Sequence, residues 1–109
     1  MSLDARQLAA SMLSAALAVL KKKTPVIRAY AEGEFKKIAQ AIVTIEALAA
    51  AGRITPEEAA LHMQIQRGAS RTVLMTAKGL GVLDAEAAIN AALDAVRTAV
   101  NAALPFKLV

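Results

Sequence analysis

The chain has 109 residues, 57% of them hydrophobic, with a net charge of +4, one histidine and no cysteine. That length bounds a single domain able to bury roughly 65% of its unfolded surface, and the missing cysteine excludes disulfides and thiolate chemistry. A pI of 9.8 is compatible with acidic partners but is not the mark of a dedicated nucleic-acid binder.

Much of the apolar fraction is alanine, which favours helix strongly yet buries little area per residue. Such a chain forms helices easily and gains less than usual from its own core. Oligomerisation is the natural source of further burial.

Residues 2–23 read as a first helix, with Ser2 or Asp4 as its cap. Leu3, Leu13, Leu17 and Leu20 recur near helical spacing, and Leu8–Leu20 is an apolar run broken only by serines. The run is shorter than the ~20 apolar residues of a membrane span. Nor is it a secretory signal, because Lys21-Lys22-Lys23 follows the apolar stretch instead of preceding it. Lysines at a helix C-terminus complement the dipole; the sharper alternative is a membrane-surface helix whose lysines reach lipid headgroups.

Thr24-Pro25 breaks the pattern, and a second helix is expected from Pro25 to about Ala51. Ala31, Phe35, Ile38, Ile42, Ile45 and Ala49 alternate by four and three residues, an a/d seam of nearly three heptads. Ile27, Tyr30, Ala41 and Leu48 widen that stripe, and Glu32 with Lys36 forms an i,i+4 pair in the favourable order.

The turn Gly52-Arg53-Ile54-Thr55-Pro56-Glu57-Glu58 ends this helix and starts the next. Gly52 is suited to a left-handed C′ position, Thr55 to an N-cap, Pro56 to the first helical residue, and Glu58 completes a capping box. The third helix is expected over Pro56 to about Lys78. Leu61, Ile65, Ala69, Val73 and Thr76 form its apolar face, while Glu57, Gln64, Arg71 and Lys78 recur every seven residues as a polar stripe. Met63, Leu74 and Met75 lie outside that face, so this helix is apolar on more than one side, as expected for a helix central to a bundle or one touching a second subunit. Gly68 in mid-helix points to close approach by a neighbour or to a weak point.

Gly79-Leu80-Gly81 ends the third helix, and Asp84 reads as the cap of a fourth, with Glu86 in its first turn. Ile89, Leu93, Val96 and Val100 make its seam; Asn90, Asp94, Arg97 and Asn101 mark the opposite edge. Pro105 stops the helix, and the apolar tail Phe106–Val109 either packs back or docks on another subunit.

The chemical inventory is thin. His62 shares a face with Glu58, but two groups on one helix are too few for zinc, and Glu-x-x-x-His occurring once is not the di-iron bundle pattern. A Glu–His surface pair is the expected reading. Glu32, Glu34 and Glu46 are scattered acids expected to be solvated. No nucleophile–base pair or phosphate loop is present: only one histidine could act as base, and Gly79-x-Gly81 lacks a third glycine and a preceding strand. No enzyme activity, metal or cofactor is implied. Lys21, Lys22, Lys23, Arg28, Lys36 and Lys37 form a basic patch suited to phosphates, though only Tyr30, Phe35 and Phe106 are aromatic.

Thr55-Pro56-Glu57-Glu58-Ala59, Met63-Gln64-Ile65-Gln66-Arg67, Arg71-Thr72-Val73-Leu74, Gly79-Leu80-Gly81 and Ala87-Ala88-Ile89-Asn90-Ala91-Ala92 resemble small all-helical proteins encoded by bacteriophages or prophages. That resemblance covers the C-terminal half and implies an accessory or assembly role, with no functional residues to carry over. The Met1-Ser2-Leu3 start resembles an expression-vector leader.

Together these features predict an all-α domain over residues 1–109: an N-terminal helical arm (1–23) and a three-helix array (24–109), as an antiparallel bundle or an extended hairpin array. The expected function is a structural or protein-binding subunit that self-associates, in the cytoplasm or, if phage-encoded, in a virion. Candidate interface residues are Met12, Leu13, Leu17, Met63, Leu74, Met75, Phe106 and Leu108. The alternatives are non-specific nucleic-acid binding through the basic patch and attachment to a membrane surface.

Overall fold

The terminal N–H and C=O groups of a helix lack partners within it, so each helix depends on what its ends supply. In the computed structural model, which describes residues 3–109, four helices satisfy this in turn: α1 (Ala5–Val19), α2 (Pro25–Ala50), α3 (Pro56–Leu74) and α4 (Val82–Ala103). Asp4 caps α1 by accepting from the N–H groups of Arg6 and Gln7; Ser2, the other candidate, lies outside the described residues. Thr24 caps α2 through Ile27 N–H, with Pro25 at its first position.

The central turn forms as its residues dictate. Gly52 has φ +67°. Its N–H donates to Ala49 O at 3.1 Å, and Arg53 N–H donates to Leu48 O at 2.8 Å. These are the two bonds of a Schellman motif. Thr55 and Glu58 then exchange bonds of 2.9 and 3.0 Å in a full capping box. At α4 the structure departs from expectation. Gly81, not Asp84, is the N-cap residue. Asp84 sits three positions later and reaches back to accept from Gly81 N–H at 3.2 Å. Before Pro105, Leu104 is extended, as the proline ring requires, and α4 stops at Ala103.

Short links force neighbouring helices to run antiparallel. Leu3 N–H donates to the Glu46 carboxylate at 2.9 and 3.1 Å, joining the start of α1 to the end of α2. Arg71 pairs with Glu86 at 3.0 Å, joining the end of α3 to the start of α4. The molecule is therefore an all-α up-and-down bundle, 42 Å along its long axis. Helix α1 is no free arm: it packs on both α4 and α2. Its buried stripe is Leu8, Met12, Ala16 and Leu20, with Leu13 and Leu17 half-buried beside it. The apolar run on which a membrane-surface helix would rely is thus occupied by the chain's own core.

The α2 seam is inside as expected, from Ile27 through Ala31, Phe35, Ile38 and Ile42 to Ile45; Tyr30 is exposed instead of widening it. Ile89, Leu93, Val96 and Val100 of α4 are buried, with Ala85, Ala88 and Ala92 between them. Buried alanines on facing helices let the backbones approach closely, which compensates for their small area. Glu34, expected to be solvated, is buried and pairs with Lys37 at 3.0 Å. Glu32 and Lys36 form the exposed i,i+4 pair.

Helix α3 is rotated relative to its sequence reading. Its buried residues are Ala59, Met63, Ser70 and Leu74, whereas Leu61, Ile65, Ala69 and Thr76 lie on the solvent side. Ser70 is tolerated inside because Gln66 donates to its hydroxyl at 3.1 Å. Met63→Ala should therefore cost about 2–5 kcal/mol in urea unfolding of dilute protein. Ile65→Ala should cost no more than about 0.5 kcal/mol under the same conditions. The opposite order would mean that α3 presents its other side to α2.

Candidate interface on the third helix

At 100° per residue, Ala59, Met63, Gln66, Ser70 and Leu74 share one face of α3, and Leu61, Ile65, Gly68, Thr72 and the C-cap residue Met75 share the opposite one. The second set steps by four, three, four and three residues, the spacing of a heptad seam. It points away from the bundle: Leu61 is 56% exposed, Ile65 63% and Met75 41%. Helix α3 thus carries two apolar seams, of which the chain uses one.

Small residues occupy the middle of the outer seam. A Cβ built on Gly68 would meet nothing within 4 Å, so the chain itself supplies none of the close approach that was one expectation for this glycine. The Thr72 hydroxyl donates to Gly68 O at 3.0 Å, which leaves its methyl as the unengaged group. A partner helix could approach closely over Gly68, with Leu61 and Ile65 on one side and Met75 on the other.

The flanks are charged in a graded way. Glu57, Gln64 and Arg71 recur at one heptad position beside the seam, running from acidic to basic; Lys78, expected to continue this stripe, lies in the link after the helix. Between this flank and α4 lies an open groove of about 610 Å³, lined by Glu57, Leu61, Gln64, Arg67, Leu93 and Arg97 among others. Nearer the start of α4, polar contacts join the two helices: Arg67 donates to Asn90, and Arg71 pairs with Glu86. Both partners of the Arg71–Glu86 pair are about half exposed, so it contributes at most about 1 kcal/mol.

The eight interface candidates separate into three groups. Met12, Met63 and Leu74 are buried in the chain's own core and offer no surface. Leu13, Leu17, Phe106 and Leu108 are half-buried against that core. Met75 alone is exposed, at the end of the outer seam. The C-terminal tail packs back on the bundle, clamped by Asn101, which accepts from Leu108 N–H at 2.8 Å and donates to Val109 O at 2.7 Å. In the sequence Asn101 is legible only as an edge residue; its role as a clamp depends on the turn at Pro105 bringing the tail within reach.

The basic patch also divides. Lys36 and Lys37 are paired with Glu32 and Glu34 along α2. Lys21, Lys22 and Lys23 lie on the α1–α2 link, and Arg28 lies in the first turns of α2. His62 is partly buried and makes no pair with Glu58, whose carboxylate is committed to the Thr55 N–H. Among the described residues no three His, Asp or Glu side chains gather as a metal site. No helix there is long and apolar enough to cross a membrane.

No family model matches the chain, and neither the characterised proteins nor the solved structures compared with it give a match. The arrangement of its own residues therefore carries the functional reading. If nothing in the chain packs on Gly68, Gly68→Ala should raise the stability of dilute monomer by about 1 kcal/mol, read from urea unfolding.

Proposed function

We propose that this protein is a structural or assembly subunit that self-associates through the outer seam of α3. One observation carries the reading: a second heptad of Leu61, Ile65, Gly68, Thr72 and Met75 faces solvent opposite the core. Contiguous exposed apolar surface of this kind marks sites of contact with proteins, membranes or ligands.

The charge order favours an antiparallel pair of α3 helices. In such a pair, flanking residues at the same heptad position meet across the seam. Ile65 of one copy then stacks over Gly68 of the other, and Leu61 over Thr72. Within the helices the flanks meet as Gln64 with Arg71, and the acidic start of each α3, at Glu57, lies beside the basic end of the other. A parallel pair would lose this match. One helix pair falls in the class that buries less than about 1,200 Å², where association is weak and reversible. A micromolar dimer, or a contact repeated within a larger assembly, follows.

An assembly role is also what the resemblance of residues 55–109 to phage-encoded helical proteins implies, and the cytoplasm or a virion is where such a subunit would act. Sedimentation equilibrium across the micromolar range tests the reading. The wild type should run as a mixture of an 11.3 kDa chain and its dimer. Ile65→Asp should weaken the dimer at least about 100-fold, since it places a carboxylate in the seam. A chain that stays monomeric at hundreds of micromolar contradicts the proposal.

A further inference from the structure

The antiparallel topology gathers four segment ends at one pole of the bundle: the end of α1, the start of α2, the end of α3 and the start of α4. The two links there touch. A Cβ on Gly79 would lie 3.5 Å from the Lys22 stem and 3.6 Å from Ile27. Leu20, Ala77 and Leu80 close the core beneath them. Outside this layer stand apolar side chains with nothing over them: Val19, Val26, Val82 and Leu83, the last 78% exposed. Lys21, Lys22, Lys23, Arg28 and Lys78 stand among them, all exposed.

The charge balance singles out this pole. It holds five cations against the single carboxylate of Asp84, which is engaged with Gly81 N–H. The remaining eight cations and eight carboxylates of the chain cancel, so the pole carries the whole net charge of +4. None of its five cations is in an ion pair among the described residues, whereas Lys36, Lys37, Arg71 and Arg97 all are. A second copy cannot sit pole to pole against such a charge. Nucleic acid would engage the lysines but leave Val26, Val82 and Leu83 without a role.

We propose that this pole docks on an anionic phospholipid surface. Lysines and Arg28 meet the headgroup phosphates, and Leu83, Val82 and Val26 enter the boundary between headgroups and acyl chains. The bundle remains folded and stands end-on to the bilayer. The contact differs from a helix lying flat on its apolar face, because α1 keeps that face inside. It leaves the outer side of α3 uncovered; in the antiparallel pair the partner's pole points away from the bilayer, so one copy of a pair meets a given surface.

Vesicle sedimentation tests the proposal with the intact chain. One lipid is pure phosphatidylcholine; the other contains one-third phosphatidylglycerol. Wild type should bind only the second, and less tightly as salt rises. Replacing Lys21, Lys22 and Lys23 with glutamine should weaken binding at least tenfold, and Leu83→Ser with Val26→Ser at least threefold. Lys36→Gln with Lys37→Gln, and Ile65→Asp, should leave it unchanged, which separates this contact from the dimer seam. Circular dichroism melts confirm that each variant folds. Absence of binding at low salt overturns the proposal. So does binding indifferent to Leu83 and Val26 and displaced by a short DNA duplex, which would identify a nucleic-acid surface.

Discussion

The packing of Ala59, Met63, Ser70 and Leu74 against the bundle is the contact on which the rest of the molecule depends. A helix can give only one side to its own core, and α3 is apolar on two. Once this side is turned inward, Leu61 and Ile65 have nowhere in the chain to go. Everything proposed about association follows from that choice of rotation. The choice is energetically reasonable, because the inward side holds the two large flexible side chains, Met63 and Leu74, that fill space between alanine-lined helices.

The link before α3 sets the rotation. Gly52 closes α2 in a left-handed conformation, and three residues later Thr55 caps α3. Ile54, just before the cap, is partly buried against the core, and Ala59, at the fourth helical position, is buried fully. These are the positions of a hydrophobic staple, which fixes the angle at which a chain enters a helix. With Ala59 held inward, steps of four and three lead to Met63, Gln66, Ser70 and Leu74. The same steps place Gly68 and Ile65 outward.

Much of the fold is legible in the sequence for local reasons. Caps, prolines and the Gly52 turn act within a few residues, and the seams of α2 and α4 are each dominated by one set of branched aliphatics. Helix α3 is harder to read because size and phase disagree there. Leu61 and Ile65 are the large aliphatics, yet the staple formed by Ile54 and Ala59 is also local and points the other way. Asp84 has the chemistry of a cap, but a glycine can hold that place when a carboxylate three residues on serves its N–H. The Asn101 clamp and the basic pole depend on segments far apart in sequence meeting at one end, which no local pattern records.

The absence of cysteine makes the central claim directly measurable. Two single variants, Ile65→Cys and Gly68→Cys, are mixed and oxidised gently, and the cross-linked products are identified by mass. An antiparallel seam predicts that the mixed disulfide, joining one copy of each variant, dominates over either self-linked product. Equal yields of all three, or preferential self-linking of Ile65→Cys, would contradict the antiparallel pairing of α3.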